Sequence, residues 1–132
     1  MNYQKEEIKT GITTHQIYTE NYKTNLYAVF LATPLKRENV TLNALLTAVL
    51  RRGTKNLPSL EKISQQLEMM YGASFDCGVE KTGDNHIMKF YLETLSEEFL
   101  PKPEKIDQES FKILLDIVFN PYIEKVLQFY DK

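Results

Sequence analysis

The best candidates for a metal ligand or a nucleophile are four residues: His15, Cys77, His86 and Glu124. A catalytic zinc needs about three protein ligands and one open position, and two ligands on one helix must lie a turn apart. Both histidines fall in predicted strands, and neither has a second ligand at helical spacing. Cys77 lies on the apolar face of a predicted strand, which favours a buried, inert thiol. These residues therefore favour structural or surface roles, and an enzyme with a non-standard site remains an alternative.

Other familiar catalytic patterns are missing from the sequence. The five glycines are dispersed, so there is no phosphate-binding loop, and no serine lies in a nucleophile elbow. Glu97, Glu98 and Glu104 fall in a segment that contains two prolines, which is typical of a solvated loop. We therefore predict no catalytic residue and no cofactor from these patterns.

Composition limits the class of partner. The chain has 132 residues, 42% hydrophobic and 26% charged, with a net charge of -2. This length fits one domain with its own core, and the charge favours neither nucleic acid nor an anionic membrane. The basic cluster of Arg51, Arg52 and Lys55 lies near a predicted helix end, where the helix dipole favours cations. A single cysteine, a polar start and no long apolar run predict a cytoplasmic protein.

The first half of the chain changes its hydrophobic period from strand to helix. Residues 11–20 predict a strand rich in β-branched residues, and residues 26–32 predict a strand apolar on both faces, as expected when a sheet is covered on both sides. The next apolar residues, at the spacing of one helix face, are Leu42, Leu45, Leu46 and Val49. Gly53 is expected to end this helix in the left-handed conformation.

The second half predicts a helix, a hairpin and another helix. Pro58 and Ser59 signal the start of a helix that Gly72 ends. Its predicted apolar stripe is Leu60, Ile63, Leu67, Met70 and Tyr71. Two alternating strands follow around a turn at residues 82–85, with these residues on their apolar faces: Ala73, Phe75, Cys77 and Val79, then His86, Met88, Phe90 and Leu92.

The last predicted helix starts at a cap, Asp107, and is broken by Asn120-Pro121. Its apolar register is Phe111, Leu114, Leu115 and Val118, and a further stripe at the end of the chain is Ile123, Val126, Leu127 and Tyr130. The order β-β-α-α-β-β-α predicts an α+β fold with an antiparallel or mixed sheet packed by helices. We expect residues 1–132 to form a single domain, the amino-terminal part of a longer one.

The succession of motifs resembles the insulinase/pitrilysin zinc peptidases, which include the mitochondrial processing peptidases. That family carries an inverted zinc motif, H-x-x-E-H, on a helix that ends in Gly-Thr. Here the corresponding segment ends at Gly53-Thr54, and a second helix begins near Ser59-Leu60-Glu61. The family pattern Gly-Ala-x-Phe then appears at Gly72-Ala73-Ser74-Phe75. The resemblance covers residues 10–121 and implies an insulinase-like metallohydrolase half-domain.

The resemblance also implies that the metal motif is lost. Alignment on Gly53-Thr54 puts the family's two histidines at Ala44 and Ala48 and its glutamate base at Thr47. Alanine has no lone pair to offer a metal, and threonine cannot act as a carboxylate base. Glu124 falls in the spacing range of the family's third ligand, but one carboxylate cannot build a zinc site. The resemblance therefore implies no catalytic residue, no bound metal and no enzyme.

The family further implies a role beside an active enzyme. Its members often work as pairs, and an inactive partner completes the chamber that holds the substrate. The closest resemblance is to the bacterial group named for association with the 5-aminopentanol modification of elongation factor P. We expect a non-catalytic subunit that binds an active paralogue or a peptide, in a homo- or hetero-oligomer. A bound peptide is expected to add as a strand. A purely structural fragment of a larger peptidase-like protein is the remaining alternative.

Overall fold

A computed structural model describes residues 2–122, which form five strands and three helices. The elements in chain order are β1 Asn2–Lys9, β2 Ile12–Tyr18, β3 Thr24–Pro34, α1 Arg37–Leu50, α2 Leu60–Met69, β4 Ser74–Thr82, β5 Asn85–Leu95 and α3 Asp107–Phe119. A short 3₁₀ turn spans Glu97–Phe99. Every pair of adjacent strands is antiparallel. The predicted α+β class with an antiparallel sheet is therefore confirmed.

The element order contains one strand more than we predicted. β1 pairs with β2 to form a separate two-stranded sheet, and Gly11 turns the chain between them with a φ of +84°. Both strands are exposed along their whole length. β1 was missed because its sequence, NYQKEEIK, has no alternation of apolar and polar residues, and it is held mainly by pairing with β2.

The main sheet has the strand order β3-β5-β4, so β5 lies in the centre. The predicted hairpin of β4 and β5 is confirmed, and Gly83 gives its two-residue turn the positive φ of 59° that it requires. The predicted inner face of β5 is also confirmed, since all four of its residues are buried: His86, Met88, Phe90 and Leu92. Leu50 of α1 and two residues of α3, Leu114 and Val118, complete this core.

The prediction that the sheet is covered on both sides is wrong for the part of the chain that the structure describes. The three helices pack against one face, and residues of β3 on the other face remain open. Leu26 is 64% exposed and Phe30 is 57% exposed, although the Phe30 ring makes an edge contact with Tyr91. Composition showed that β3 is apolar on both faces but not which part of the chain would cover the second one.

Helix α1 also presents a different face to the core than we predicted. Its predicted apolar stripe is between 44% and 62% exposed: Leu42, Leu45, Leu46 and Val49. The buried residues are Thr47 and Leu50. This mixed face of α1 points to the core because the helix lies across β4. There the Thr47 carbonyl oxygen contacts the Cys77 thiol.

Gly53 was predicted to end α1 in the left-handed conformation, and this reason is wrong. The φ of Gly53 is not positive, so its backbone is not in the left-handed region. Its missing side chain is instead required by a close approach, because a Cβ would lie 2.9 Å from the carbonyl carbon and oxygen of Pro58. The glycine therefore allows the loop after α1 to pack tightly against the start of α2.

The start of α2 confirms its predicted cap. The Ser59 hydroxyl accepts a hydrogen bond from the Lys62 amide at 3.1 Å. Its predicted stripe is buried in part: Ile63 and Met70 lie in the core, whereas Leu60 is half exposed. Gly72 follows the helix with a φ of +75°, as its predicted role as a helix end requires.

The predicted cap of α3 is displaced by one residue. Ile106 occupies the cap position without a side-chain bond, and Asp107 is the first helical residue. The Asp107 carboxylate faces β3, where it accepts a hydrogen bond from the Tyr27 hydroxyl at 2.7 Å. The sequence could not separate the two roles, because an aspartate at the start of a helix looks the same whether it caps the helix or bonds to another element.

The apolar register of α3 is correct in part. Leu114 and Val118 are buried, whereas Phe111 is 51% exposed. The remaining buried apolar positions of this helix are Ile113 and Ile117, which pack against α2. The predicted tail stripe and Glu124 lie outside the described residues. No helix within residues 2–122 has the length and apolar content that a membrane span needs.

Candidate functional site

The three positions that align with the metal motif lie on α1, where the helix crosses β4. Thr47 is buried, and its hydroxyl donates to the carbonyl oxygen of Asn43, one turn earlier, at 2.9 Å. The Thr47 carbonyl oxygen accepts a weak bond from the Cys77 thiol at 3.7 Å. Ala44 and Ala48 are exposed. Thr47 and Leu50 therefore face the core, and the two motif positions that stay accessible present only the methyl groups of Ala44 and Ala48.

These residues do not fit a zinc ion. Methyl groups offer no lone pair, and the Thr47 hydroxyl already donates its proton within the helix. Between residues 2 and 122, no three side chains of the His, Cys, Asp or Glu type are grouped so that they could hold a metal. The side chains at the motif positions of α1 therefore provide no ligands for a catalytic metal.

The two histidines occupy different sheets and have separate partners. His15 lies in the exposed hairpin, where its Nδ1 is 2.7 Å from the Tyr3 hydroxyl and the two rings stack. His86 is buried at the start of β5, where its Nδ1 is 3.0 Å from the side-chain nitrogen of Asn43. The structure therefore does not bring the histidines together as ligands of one site.

Cys77 is half buried on β4, under α1. Burial raises the pKa of its thiol, and Arg51 opposes this increase only in part. A thiol with a raised pKa has little thiolate at neutral pH and is a poor nucleophile. This environment agrees with the predicted inert thiol.

Two of the three carboxylates of the predicted solvated loop, Glu97 and Glu104, have structural partners. Glu97 accepts a hydrogen bond from the Asp107 amide at 3.0 Å, at the start of α3. Glu104 accepts one from the Tyr71 hydroxyl at 2.9 Å, and this bond raises the pKa of that tyrosine. Each carboxylate therefore fastens the loop to a neighbouring element.

The outer edge of β4 is a feature that sequence reasoning could not locate. β4 pairs only with β5 among the described strands, and α1 lies beside it. The Cys77 amide donates to the side chain of its neighbour Asp76 at 2.9 Å, so it points away from β5. Because strand amides alternate in direction, the amides of Val79 and Lys81 point to the same outer edge. No sequence signal could have shown this, since an edge is defined by strand pairing.

Comparisons with known proteins show what the chain resembles. No protein-family model matches it. It is 33% identical over 114 residues to the protein named "Probable inactive metalloprotease YmfF" of Bacillus subtilis (strain 168). That match covers 86% of this chain and 27% of the relative. A crystal structure of a conserved protein from Enterococcus faecalis V583 matches 95% of this chain and 29% of that one, with a TM-score of 0.88 and 30% identity.

Both relatives extend well beyond the matched region, since the chain spans less than a third of the length of each. The match to the Enterococcus protein covers nearly all of the fold described above, and the Bacillus match covers most of the sequence. The chain is therefore homologous to part of the Bacillus protein that is named a probable inactive metalloprotease.

Proposed function

We propose that this chain belongs to a non-catalytic homologue of the insulinase/pitrilysin peptidases, of the bacterial group associated with the 5-aminopentanol modification of elongation factor P. The observation that carries the proposal is the surface of α1. The helix has a fixed place beside β4, yet its motif positions present the methyl groups of Ala44 and Ala48. The name of the Bacillus relative supports the same loss of activity. We place the protein in the cytoplasm.

The role that best fits this geometry is a scaffold that holds a peptide without cleaving it. The free edge of β4 offers main-chain donors and acceptors next to α1, and an extended peptide can pair there as an added strand. Such pairing needs no catalytic side chain. Asp76 occupies the Cys77 amide in the free protein, so a bound peptide has to displace that carboxylate.

Pairing with an active paralogue is the second half of the proposed role. The apolar stripe of α1 is exposed, and contiguous exposed apolar surface marks sites of protein contact. The partner proposed by the resemblance is an active metallopeptidase of the same family, in a homo- or hetero-oligomer.

Peptide binding can be tested by hydrogen exchange of single amides. An unstructured peptide added in excess should slow exchange at Cys77, Val79 and Lys81, because these amides form the outer edge of β4. The amides of β3, the opposite edge, serve as the internal control. Equal protection at both edges, or none at either, would contradict a specific site on β4.

The lost activity and the partner need separate measurements. Purified protein should contain far less than one equivalent of zinc by elemental analysis and should not cleave unstructured peptides. Affinity capture from the host should recover a metallopeptidase homologue. Recovery of no such partner, together with no peptide binding, would remove the proposed role.

An enzyme with a non-standard site is less well supported. Its candidates are His15, His86, Cys77 and Glu124, of which the last lies outside the described residues. The other three lie in two sheets and have structural partners. Stoichiometric zinc that is lost in His86→Ala would revive that alternative. A purely structural fragment predicts instead a chain that aggregates and binds neither peptide nor partner.

A further inference from the structure

Strand β3 forms the second edge of the main sheet, and it pairs only with β5 among the described strands. At its two ends, the amides of Ser96 and Leu35 donate to the carbonyl oxygens of Lys23 and Asp84, both at 2.8 Å, in the register of β3 and β5. The odd-numbered residues of β3 therefore bond to β5. The amides and carbonyl oxygens of its even-numbered residues point to the open edge.

The sequence of β3 does not protect this edge. Its 11 residues contain no charged side chain, and they pair with β5 without a bulge. Proteins usually protect long edge strands with charges, prolines or bulges, because unpaired backbone groups bond to any strand that comes beside them. Pro34 lies at the very end of the strand. The edge is therefore open to pairing from Thr24 to Ala32.

The opposite edge of the sheet is protected. β4 has three charged side chains, Asp76, Glu80 and Lys81. The Asp76 carboxylate also accepts a hydrogen bond from the Cys77 amide at 2.9 Å. Any strand that pairs with β4 first has to displace this carboxylate, whereas the edge of β3 has no such competitor. β3 is therefore the edge at which pairing needs no rearrangement.

The side chains at the open edge of β3 match a second copy of the same strand. On the exposed face of the sheet they alternate in size: Leu26, Ala28, Phe30 and Ala32. Two antiparallel copies centred on Val29 place Ala28 opposite Phe30 and Leu26 opposite Ala32, so that each hydrogen-bonded pair joins a large side chain to a small one. Because the strand has no charge, the two-fold axis creates no pair of like charges.

The length of the edge limits the strength of such a dimer. A standard interface buries about 800 Å² on each partner, and a strand edge of a few residues buries less. We therefore expect a weak dimer with a dissociation constant in the micromolar range.

We propose that two copies of this chain associate through β3, which pairs antiparallel about a two-fold axis at Val29 and joins the two main sheets. The proposal is independent of the scaffold role, because it leaves the edge of β4 and the surface of α1 free. Since both relatives extend well beyond the matched region, a strand from the rest of a longer protein is the rival occupant of this edge.

The test uses the 132-residue chain in sedimentation velocity and hydrogen exchange over a range of concentrations. The chain should convert from monomer to dimer as the concentration rises. Exchange at the amides of Leu26, Ala28 and Phe30 should slow in parallel, while exchange at Val79 and Lys81 on the other edge should not change.

Two proline variants provide the matched comparison. Ala28→Pro deletes an outward amide that β3 does not share with β5, and it should weaken the dimer by about tenfold or more, because the symmetry removes two hydrogen bonds at once. Lys81→Pro deletes an outward amide at the edge of β4 and should leave the dimer unchanged. Circular dichroism checks that both variants fold.

A cross-link tests the register without disturbing the edge. Val29→Cys should form a disulfide-linked dimer on mild oxidation, because a central antiparallel pair holds its Cα atoms about 4.5 Å apart. Leu31→Cys meets a different residue of the second copy and should not. The wild-type chain, which has only Cys77, gives the background.

Three results would overturn the proposal. A chain that stays monomeric at about 1 mM would leave the edge to the rival occupant. A dimer that survives Ala28→Pro and does not cross-link through Val29→Cys would not use β3. A dimer that is lost in Leu45→Ser would instead be held by the exposed stripe of α1.

Discussion

The hydroxyl of Tyr27 joins the edge strand β3 to the start of α3, and its removal tests how the fold is held together. It donates to Asp107 at 2.7 Å, and Asn25 donates to the same carboxylate oxygen at 3.2 Å. Tyr27→Phe deletes one of these two bonds and leaves the ring in place. The substitution therefore isolates a contact between parts of the chain that are far apart in sequence.

The expected cost follows from the kind of bond. A hydrogen bond to a charged acceptor contributes about 1.5–3 kcal/mol, and Asn25 still satisfies part of the carboxylate in the variant. We expect Tyr27→Phe to lower the free energy of unfolding by about 1.5–2 kcal/mol, near the low end of that range. For a chain of this size, the melting temperature should fall by about 5–7 °C.

Urea denaturation followed by circular dichroism measures this change. The matched control is Tyr71→Phe, which deletes an exposed hydroxyl bound to Glu104 and should leave the urea midpoint unchanged. If the two variants lose equal stability, or if Tyr27→Phe loses none, the bond to Asp107 does not hold β3 to α3.

The pH dependence gives a second check of the same bond. Burial, followed by the bond to Asp107, raises the pKa of Tyr27 above its ordinary value. A raised folded-state pKa means that this stabilisation is complete below about pH 10, the unfolded value, and is lost as the pH rises further. The stability difference between wild type and Tyr27→Phe should therefore be constant from pH 6 to 9 and shrink above about pH 10. A difference that grows above pH 10 would refute this.

Three further substitutions or reactions test the core and the loop after α1. Phe90→Ala should destabilise the fold by about 3–5 kcal/mol in urea denaturation, because this side chain is fully buried; a loss below about 1 kcal/mol would contradict its place in the core. Gly53→Ala should lower the free energy of unfolding by about 1–3 kcal/mol, because the new Cβ would clash with the Pro58 carbonyl. The matched control is Gly78→Ala, whose Cβ would contact no other atom; its free energy of unfolding should change by no more than about 0.5 kcal/mol. The Cys77 thiol, with its raised pKa, should react with Ellman's reagent at pH 8 at least about tenfold more slowly than in urea-unfolded chain; equal rates would show an open thiol.

Local signals in the sequence were enough for several elements. Ser59 caps α2 as predicted, and Gly83 turns the hairpin of β4 and β5. The alternation from His86 to Leu92 correctly gave the inner face of β5. Each of these features depends on residues that lie close together in the chain, so their types and spacing contain the necessary information.

The motif positions on α1 show how far a resemblance reaches. The sequence identified Ala44, Thr47 and Ala48 as side chains without a zinc ligand. It could not show that Thr47 would be the buried contact to β4 while both alanines stay exposed. That division depends on the angle at which the helix crosses the sheet, which is set by packing.

The sequence by itself determined the fold class, the start of α2 and the lack of metal ligands at the motif positions of α1. Tertiary structure alone decided that the apolar stripe of α1 is exposed and that β4 is an edge of the sheet. The physical reason is that periodicity shows which side chains share a face. Whether that face is covered depends on segments distant in the chain. The polar strand β1 shows the same limit, because its partner strand rather than its own pattern holds it in place.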